Sequence, residues 1–327
     1  MDLDIKVLQV FLRAKGQFVS GASIGEMLGL SRVSIHNHLE ALKKAGFEFS
    51  AIRNKGYRLD KEPDSFHPAL FGALISDSPC PFFDNYITLE DTPSTNNVAD
   101  SELSLNRPDP FFVVADCQTS GRGRRGRTWY SPKGKNLYLS VALRPVMSPA
   151  KLQTITLWLG LRLCQYLRDN HALPVMVKWP NDLMLHDRKI AGMLTEARVD
   201  AEQTRDLVFG FGLNVNSMQE DFPEELQAIA SSLRIETGKK QNLSRLGLGI
   251  IHHLSTALQD YMDNNYSIEL ARLWPEVDYL RGQYITTDSV SGKALGINAT
   301  GSLKVEREDG STALLHSGEV SLGTNRK

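Results

Sequence analysis

Apolar residues at Ile5, Leu8, Phe11 and Leu12 recur at the helical period, so the chain opens on a helix. A second short helix fits Gly21 to Leu28, with Gly29 as the turn behind it. Ser31 reads as the N-cap of a third helix, which runs to about Ala45 and stops at Gly46. Ile35, Leu39 and Leu42 share one face of that helix, and Arg32, Ser34, His36 and Asn37 occupy the other in its first turns. In FEFSAIRNKGYRL, Asn54-Lys55-Gly56 forms a hairpin turn between two strand-like runs. Three helices followed by a hairpin predict a winged helix-turn-helix over residues 1–62. The polar first turns of the third helix stand where a recognition helix meets base edges, and Arg53, Lys55 and Arg58 charge the wing for phosphates. The candidate DNA-contacting residues are Ser31, Arg32, Ser34, His36, Asn37 and Lys55. One such domain reads one half-site, so a dimer on a near-palindrome is expected. A small interaction domain of the same fold that touches no DNA shares this pattern.

Two prolines and mixed charge in Lys61 to Pro68 mark a linker, assigned to residues 63–80. Beyond it the pattern mixes short strands with helices. FFVVAD (111–116), NLYLSVAL (136–143), PVMVKW, LML, KIAGMLTEA and LVFGFGLNVN read as strands. Lys151 to Arg168 and the stretches near 243–262 and 267–278 read as helices. The helices are too sparse for a strictly alternating doubly wound sheet, so residues 81–279 are assigned to a mixed α/β domain. In residues 280–327 the runs QYITT, LGINATG, SLKVE, TALLHSG and EVSL, separated by turn residues, predict a small β-barrel. The expected class is α+β, in several domains.

At 327 residues the chain is long enough for two domains, give or take one. An apolar content of 41% against 23% charged residues excludes wholesale disorder. The longest mostly apolar stretch, Ile155 to Leu167, contains Arg162 and is too short to span a membrane. The acidic N-terminal segment does not resemble a signal peptide. Cys80, Cys117 and Cys164 have no metal-ligand spacing and suit free thiols in a reducing compartment, so a cytoplasmic protein is expected.

The net charge of −1 hides a strong asymmetry. Residues 117–168 hold ten Lys or Arg and no acidic residue. Such a block points to a specific polyanion, either nucleic acid or a nucleoside triphosphate. The densest part is GRGRRGRTW, Gly121 to Trp129, between two strand candidates. Its glycines permit close approach, and its arginines offer forked donors to phosphate or carboxylate oxygens. It is neither a Walker A loop nor a dinucleotide fingerprint, because no G-K-[ST] follows and no helix opens after it. A loop of this charge should stay mobile until an anion neutralises it. Taken alone, a solvated basic loop or an RNA-binding tract remains open. A second signal is Lys178-Trp179-Pro180-Asn181-Asp182, where one lysine and two polar residues flank a stiff Trp-Pro. Gly210 to Asn216 (GFGLNVN) and Pro93 to Asn97 (PSTNN) are weaker: a strand that lets a ligand approach, and a helix N-terminus.

Together these motifs resemble one family, the biotin–protein ligases. The matching pieces are P-S-T-N at 93–96, A-D-x-Q-T-x-G-R-G-R-R-G-R-x-W at 115–129, V-K-W-P-N-D at 177–182, K-I-A-G at 189–192 and G-x-G-x-N-V-N at 210–216. The resemblance runs from about residue 80 to the C-terminus. With the winged helix added, the chain resembles the bifunctional bacterial form, a ligase that is also the biotin-operon repressor.

The resemblance implies a class II synthetase-like central domain and an SH3-like C-terminal barrel. It implies ATP and biotin as substrates with Mg2+ accompanying the nucleotide, for which Asn181 and Asp182 are candidate ligands. Biotin would be activated to biotinoyl-5′-AMP and passed to a lysine of the biotin carboxyl carrier protein of acetyl-CoA carboxylase. Lys178 and Arg124 would be catalytic. Ser94, Thr95, Asn96, Gln118, Arg122, Gly123, Arg124 and Lys178 would bind biotin. Arg122, Arg124, Arg125, Trp129, Asn181 and Asn214 would bind ATP or the adenylate. The adenylate-bound chain would form a homodimer on operator DNA, and no membrane is involved. The family's G-E-[IV]-S-L ending matches Gly318 to Leu322, but Gly323 stands where a basic residue can follow. Two rivals are a lipoate or octanoate ligase acting on a carrier protein, and a ligand-sensing transcription factor without turnover.

Overall fold

The computed structural model describes residues 2–83, 85–200 and 203–323. Met1 of the first expected domain and residues 324–327 of the last lie outside them. At the N-terminus, α1 (Asp2–Arg13), α2 (Gly21–Leu28) and α3 (Arg32–Lys44) precede an antiparallel hairpin of β1 (Glu48–Ile52) and β2 (Gly56–Lys61). Ser20 caps α2 and Ser31 caps α3, each hydroxyl accepting from an N–H three residues on, at 3.0 and 3.1 Å. Gly56 has φ +101°, and a Cβ there would lie 2.0 Å from the Val19 carbonyl oxygen, so only glycine fits where the hairpin crosses residue 19.

The stretch read as a linker contains a buried helix, α4 (Pro68–Asp77). Leu70, Ala73 and Leu74 join the core of Val7, Leu8, Phe11, Ile35 and Leu39, while Phe71 and Ile75 join the central core. Pro68 opens this helix instead of breaking it, because the first helical position needs no N–H partner. A helix that is apolar on all sides belongs inside, and here it is the shared wall of two cores. The chain leading into it docks on the start of a later helix: the Leu243 N–H donates to Asp64 O at 2.9 Å, and the His67 N–H to Ser244 Oγ at 3.0 Å.

The central domain follows as β3 (Asn85–Thr92), α5 (Thr95–Ser104), β4 (Phe111–Gln118), β5 (Leu137–Leu143), α6 (Leu152–His171), β6 (Met176–Lys178), β7 (Asp182–Leu185), β8 (Arg188–Asp200), β9 (Gln203–Leu213), α7 (Glu224–Gln227), α8 (Leu233–Thr237), α9 (Leu243–Met262) and α10 (Tyr266–Val277). Seven strands form one sheet in the order β3-β4-β5-β9-β8-β7-β6. Only β3 and β4 run parallel, and α5 is the crossover between them. FFVVAD is apolar throughout because both faces of β4 are covered: Phe112 and Val114 face the main core, Phe111 and Val113 the side of α5. In β5 and β9 the period of two separates the faces. Leu137, Leu139, Val141, Phe209 and Phe211 enter the main core, which leaves Ser140, Gly210 and Gly212 on the opposite face.

At the C-terminus, β10 (Tyr284–Thr286), β11 (Ser291–Ile297), β12 (Leu303–Glu306), β13 (Thr312–Leu315) and β14 (Ser321–Leu322) form an antiparallel sheet in the order β13-β12-β11-β10-β14. Its two edge strands do not pair with each other among the described residues, so the expected barrel is seen as an open five-stranded sheet. The run LGINATG is not one strand. β11 begins earlier and ends at Ile297, because Asn298 Oδ1 accepts from the N–H groups of Thr300 and Ser302 at 3.0 and 2.8 Å and turns the chain. Val290, Ala294, Leu303 and Val305 belong to the same core as the central sheet. Among the described residues no helix is long and apolar enough to cross a membrane, and the three cysteines are free.

Candidate functional site

The face of β9 and β8 opposite the main core is the floor of a cleft of about 530 Å³, with β5 paired beside it. Register sets that floor. Ser140 pairs with Gly210 and Gly210 with Leu194; Tyr138 pairs with Gly212 and Gly212 with Gly192. The glycines are required by what lies on them. A Cβ on Gly210 would stand 2.2 Å from Asn96 Oδ1, and one on Gly212 would stand 2.4 Å from Trp129 Nε1. That indole nitrogen is buried and has no hydrogen-bond partner among the described residues.

At one end, the start of α5 forms a polar pocket. Ser140 Oγ lies 2.8 Å from Thr95 Oγ1 and 2.6 Å from Asn96 Oδ1. The N–H and hydroxyl of Thr95 both donate to Gln118 Oε1, at 2.9 and 3.2 Å. Gln118 Nε2 donates to Ser131 Oγ at 3.0 Å, and Asn96 Nδ2 donates to Glu196 at 2.8 Å. Ser94, Thr95 and Asn96 are buried. A constellation of oriented donors and acceptors with little freedom to rearrange suits a neutral polar ring system.

The arginine segment is a small hairpin. The Gly123 N–H donates to Arg127 O at 2.7 Å and the Trp129 N–H to Gly121 O at 2.8 Å. The loop expected to await an anion finds anions within the chain. Arg122 pairs with Glu196, Arg127 with Glu319 and Arg125 with Asp288 at 3.3 Å. Arg124 is half-buried, and its Nη1 donates to Asn181 Oδ1 at 3.1 Å and Gly318 O at 3.4 Å. Burial pushes its guanidinium below the usual value, against the attraction of Asp182. Arg122, Gly123, Arg124 and Trp129 line the cleft; Arg125 does not. With φ +55°, Arg125 sends its side chain to Asp288.

Opposite the hairpin, β6 and β7 place Lys178 across from Asp182. Asp182 nevertheless pairs with Lys189, whose Nζ lies 2.7 Å from Oδ1 and 5.2 Å from the centre of the Trp129 ring. Lys178 lines the cleft, and its ammonium has no hydrogen bond or ion pair among the described residues. Burial pushes its ammonium below the ordinary lysine value, and Asp182 opposes that shift. An unpaired, part-buried cation gains most from an anionic ligand. Asn181 is committed to Arg124 and, through Nδ2, to Met193 O at 2.8 Å. Asn214 lines the cleft, but its Nδ2 donates to Ser231 O at 3.0 Å, so it positions the segment behind it. Asn181 is held by hydrogen bonds and Asp182 is ion-paired with Lys189, and no cluster of three metal-ligating side chains occurs among the described residues.

Sequence reasoning missed Lys189, Ser140 and Glu196. Lys189 was visible only as the first letter of K-I-A-G. Glu196 joins the two ends of the cleft, since it meets both Asn96 and Arg122. Gly323 brings no cation; its N–H donates to Tyr284 O at 2.9 Å, and a Cβ there would stand 2.9 Å from the Tyr284 ring.

On the N-terminal domain, Ser31, Arg32, His36, Asn37 and Lys55 are exposed and Ser34 is half-buried. Ser31 also serves as the cap of α3. Arg58 is drawn to Asp60 at 2.6 Å and lies over the Phe18 ring, so it is not a free phosphate contact.

Comparison with known proteins agrees with this geometry. The Biotin/lipoate A/B protein ligase family model matches residues 88–214, an HTH domain model residues 5–58 and the Biotin protein ligase C terminal domain model residues 281–323. The bifunctional ligase/repressor BirA of Bacillus spizizenii is 32% identical over 97% of this chain and 98% of its own length. The protein of the same name from Escherichia coli is 32% identical over 100% of this chain and 99% of its own. The structure of biotin protein ligase from Aquifex aeolicus in complex with biotin and ATP is similar with a TM-score of 0.63 and 29% identity, over 74% of this chain and 99% of that one. The chain belongs to the biotin protein ligases, in the group of bifunctional ligase/repressors.

Proposed function

We propose that this chain activates biotin with ATP and transfers it to a lysine of the biotin carboxyl carrier protein of acetyl-CoA carboxylase. In the first step a biotin carboxylate oxygen attacks the α-phosphorus, forming biotinoyl-5′-AMP as pyrophosphate leaves. In the second, a neutral lysine amine attacks the acyl carbon and AMP leaves. The observation that carries this reading is the unpaired ammonium of Lys178, in a cleft that also holds Lys189, Arg122 and Arg124 beside a hydrogen-bonded polar pocket. Two anions repel as they approach, and fixed cations stabilise the crowded phosphate of the transition state. Thr95, Asn96, Gln118 and Ser140 suit the bicyclic ring of biotin. The arginine hairpin closes over the mixed anhydride and keeps water from it. Mg2+ would enter with ATP, held mainly by phosphate oxygens, since the described residues offer no cluster of three metal-ligating side chains.

A lipoate or octanoate ligase would need a long apolar tunnel, and this end of the pocket is lined by Ser94, Thr95, Asn96 and Gln118. A sensor without turnover would have no use for an unpaired lysine. In this reading the central sheet is class II synthetase-like and the C-terminal sheet an SH3-like barrel. The adenylate-bound chain forms a homodimer that sets two α3 helices on an operator and represses biotin synthesis. By linkage, operator binding tightens adenylate binding by the same factor. Biotin-dependent exchange of pyrophosphate into ATP tests the reading. Exchange driven by lipoate or octanoate in place of biotin would overturn it, and no exchange at all would leave the sensor.

A further inference from the structure

Val33 is an apolar side chain in a polar place. It sits in the first turn of α3 and is 69% exposed, while Ile35, Leu39 and Leu42 of the same helix are buried. Its outward neighbours Arg32, His36 and Asn37 are also exposed. Cations flank this face: Lys44 at the far end of α3, and Arg53 and Lys55 on the exposed hairpin. An isopropyl group here contributes nothing to the core of its own domain. In the first turn of a recognition helix it faces base edges in the major groove. The feature of a base edge that an apolar side chain recognises there is the 5-methyl group of thymine.

We propose that Val33 contacts one thymine methyl in each operator half-site and so selects T·A at that position. The inference rests on the DNA-binding reading of the N-terminal domain and deepens it: phosphate contacts position the domain, and Val33 supplies part of its sequence preference. Val33 is the one exposed large apolar side chain of α3, and set among cations and amides it fits a duplex better than an apolar protein partner.

The test uses the full chain with biotin and ATP. Duplexes are selected from a random pool, and each thymine of the winning site is then replaced by deoxyuridine, which removes only the methyl group. Binding should weaken about fourfold at one position per half-site, the worth of one buried methyl. Val33→Ala should bind the thymine and deoxyuridine duplexes equally, while its pyrophosphate exchange stays at the parent rate. Alanine favours the helix, so folding is retained. Indifference of the parent chain to every deoxyuridine overturns the proposal. So does the same penalty in Val33→Ala, or a change in dimerisation without DNA as that variant's only effect. Failure to select any sequence overturns the DNA-binding reading itself, and this inference with it.

Discussion

On the inner wall of the cleft, Thr95, Asn96, Ser140 and Gln118 are joined by hydrogen bonds shielded from water, whereas the arginine hairpin of the outer wall is tied down by carboxylates that face solvent. Leaving a buried donor or acceptor without its partner costs about 1–3 kcal/mol. An exposed ion pair contributes roughly 0–1 kcal/mol. The inner wall therefore holds one shape, suited to a rigid neutral ligand. The outer wall can exchange Glu196 and Glu319 for the anions of a substrate at little cost. Glu196 is the joint between them, with one oxygen shared by Asn96 and Arg122.

The strongest attack on this comparison falls between the walls. Lys178→Ala and Lys189→Ala should each slow biotin-dependent pyrophosphate exchange by about 10²–10³-fold, the usual cost of removing a transition-state cation or donor. Exchange close to the parent rate in either variant would remove that lysine from the mechanism.

Next is Asp116, behind the inner wall on β4. Burial pushes its carboxyl up to about 6, although the Gly134 N–H donates to it at 3.2 Å. A raised acid favours the folded state below its unfolded value near 4, and that contribution is lost as pH rises through 6. Asp116→Asn should therefore gain stability relative to the parent, on the order of 2–3 kcal/mol, between pH 4 and pH 7. Denaturant melts at the two pH values measure this; a constant difference would mean that Asp116 ionises freely when folded.

Ser140→Ala leaves Asn96 Oδ1 without its buried donor and should cost about 1–3 kcal/mol. Its KM for biotin should rise while the KM for ATP holds; equal changes in both would show that the pocket does not sort the two substrates. Arg124→Gly opens the outer wall. Release of biotinoyl-AMP should quicken about tenfold, equivalent to about 1.4 kcal/mol, and free lysines in solution should become labelled. Release at the parent rate would deny the hairpin its closing role. The smallest effect belongs to Glu319→Gln, which removes the exposed partner of Arg127. Stability should change by less than about 1 kcal/mol, and less still at high salt. A larger loss would place the outer wall with the inner one.

Much of the fold could be read along the chain. Ser31 caps α3 and Gly46 follows its end, the Asn54-Gly56 turn joins β1 to β2, and the long helix near residue 250 is present. Helix α4 escaped because Pro68 was weighed as a breaker, while the apolar run behind it has meaning only where two cores meet. Sequence spacing does not report the left-handed backbone that sends Arg125 to Asp288 while its neighbours meet other partners. Lys189 lacks the Trp-Pro context that marks Lys178, and only the pairing of β7 with β8 brings it to Asp182.

Periodicity, caps and turn residues act over a few positions, so the amino-acid order already carried most of the longer helices, most strands and the winged helix at the N-terminus. Its motifs also carried the chemistry of the cleft. Which side chains meet there was settled by pairing between strands far apart in the chain. The β5-β9-β8 registers bring Ser140, Gly210 and Gly212 under Asn96 and Trp129, and the β6-β7 hairpin sets Lys178 opposite Asp182. A shift of one residue would turn every one of those side chains to the other face, and no local pattern encodes that choice.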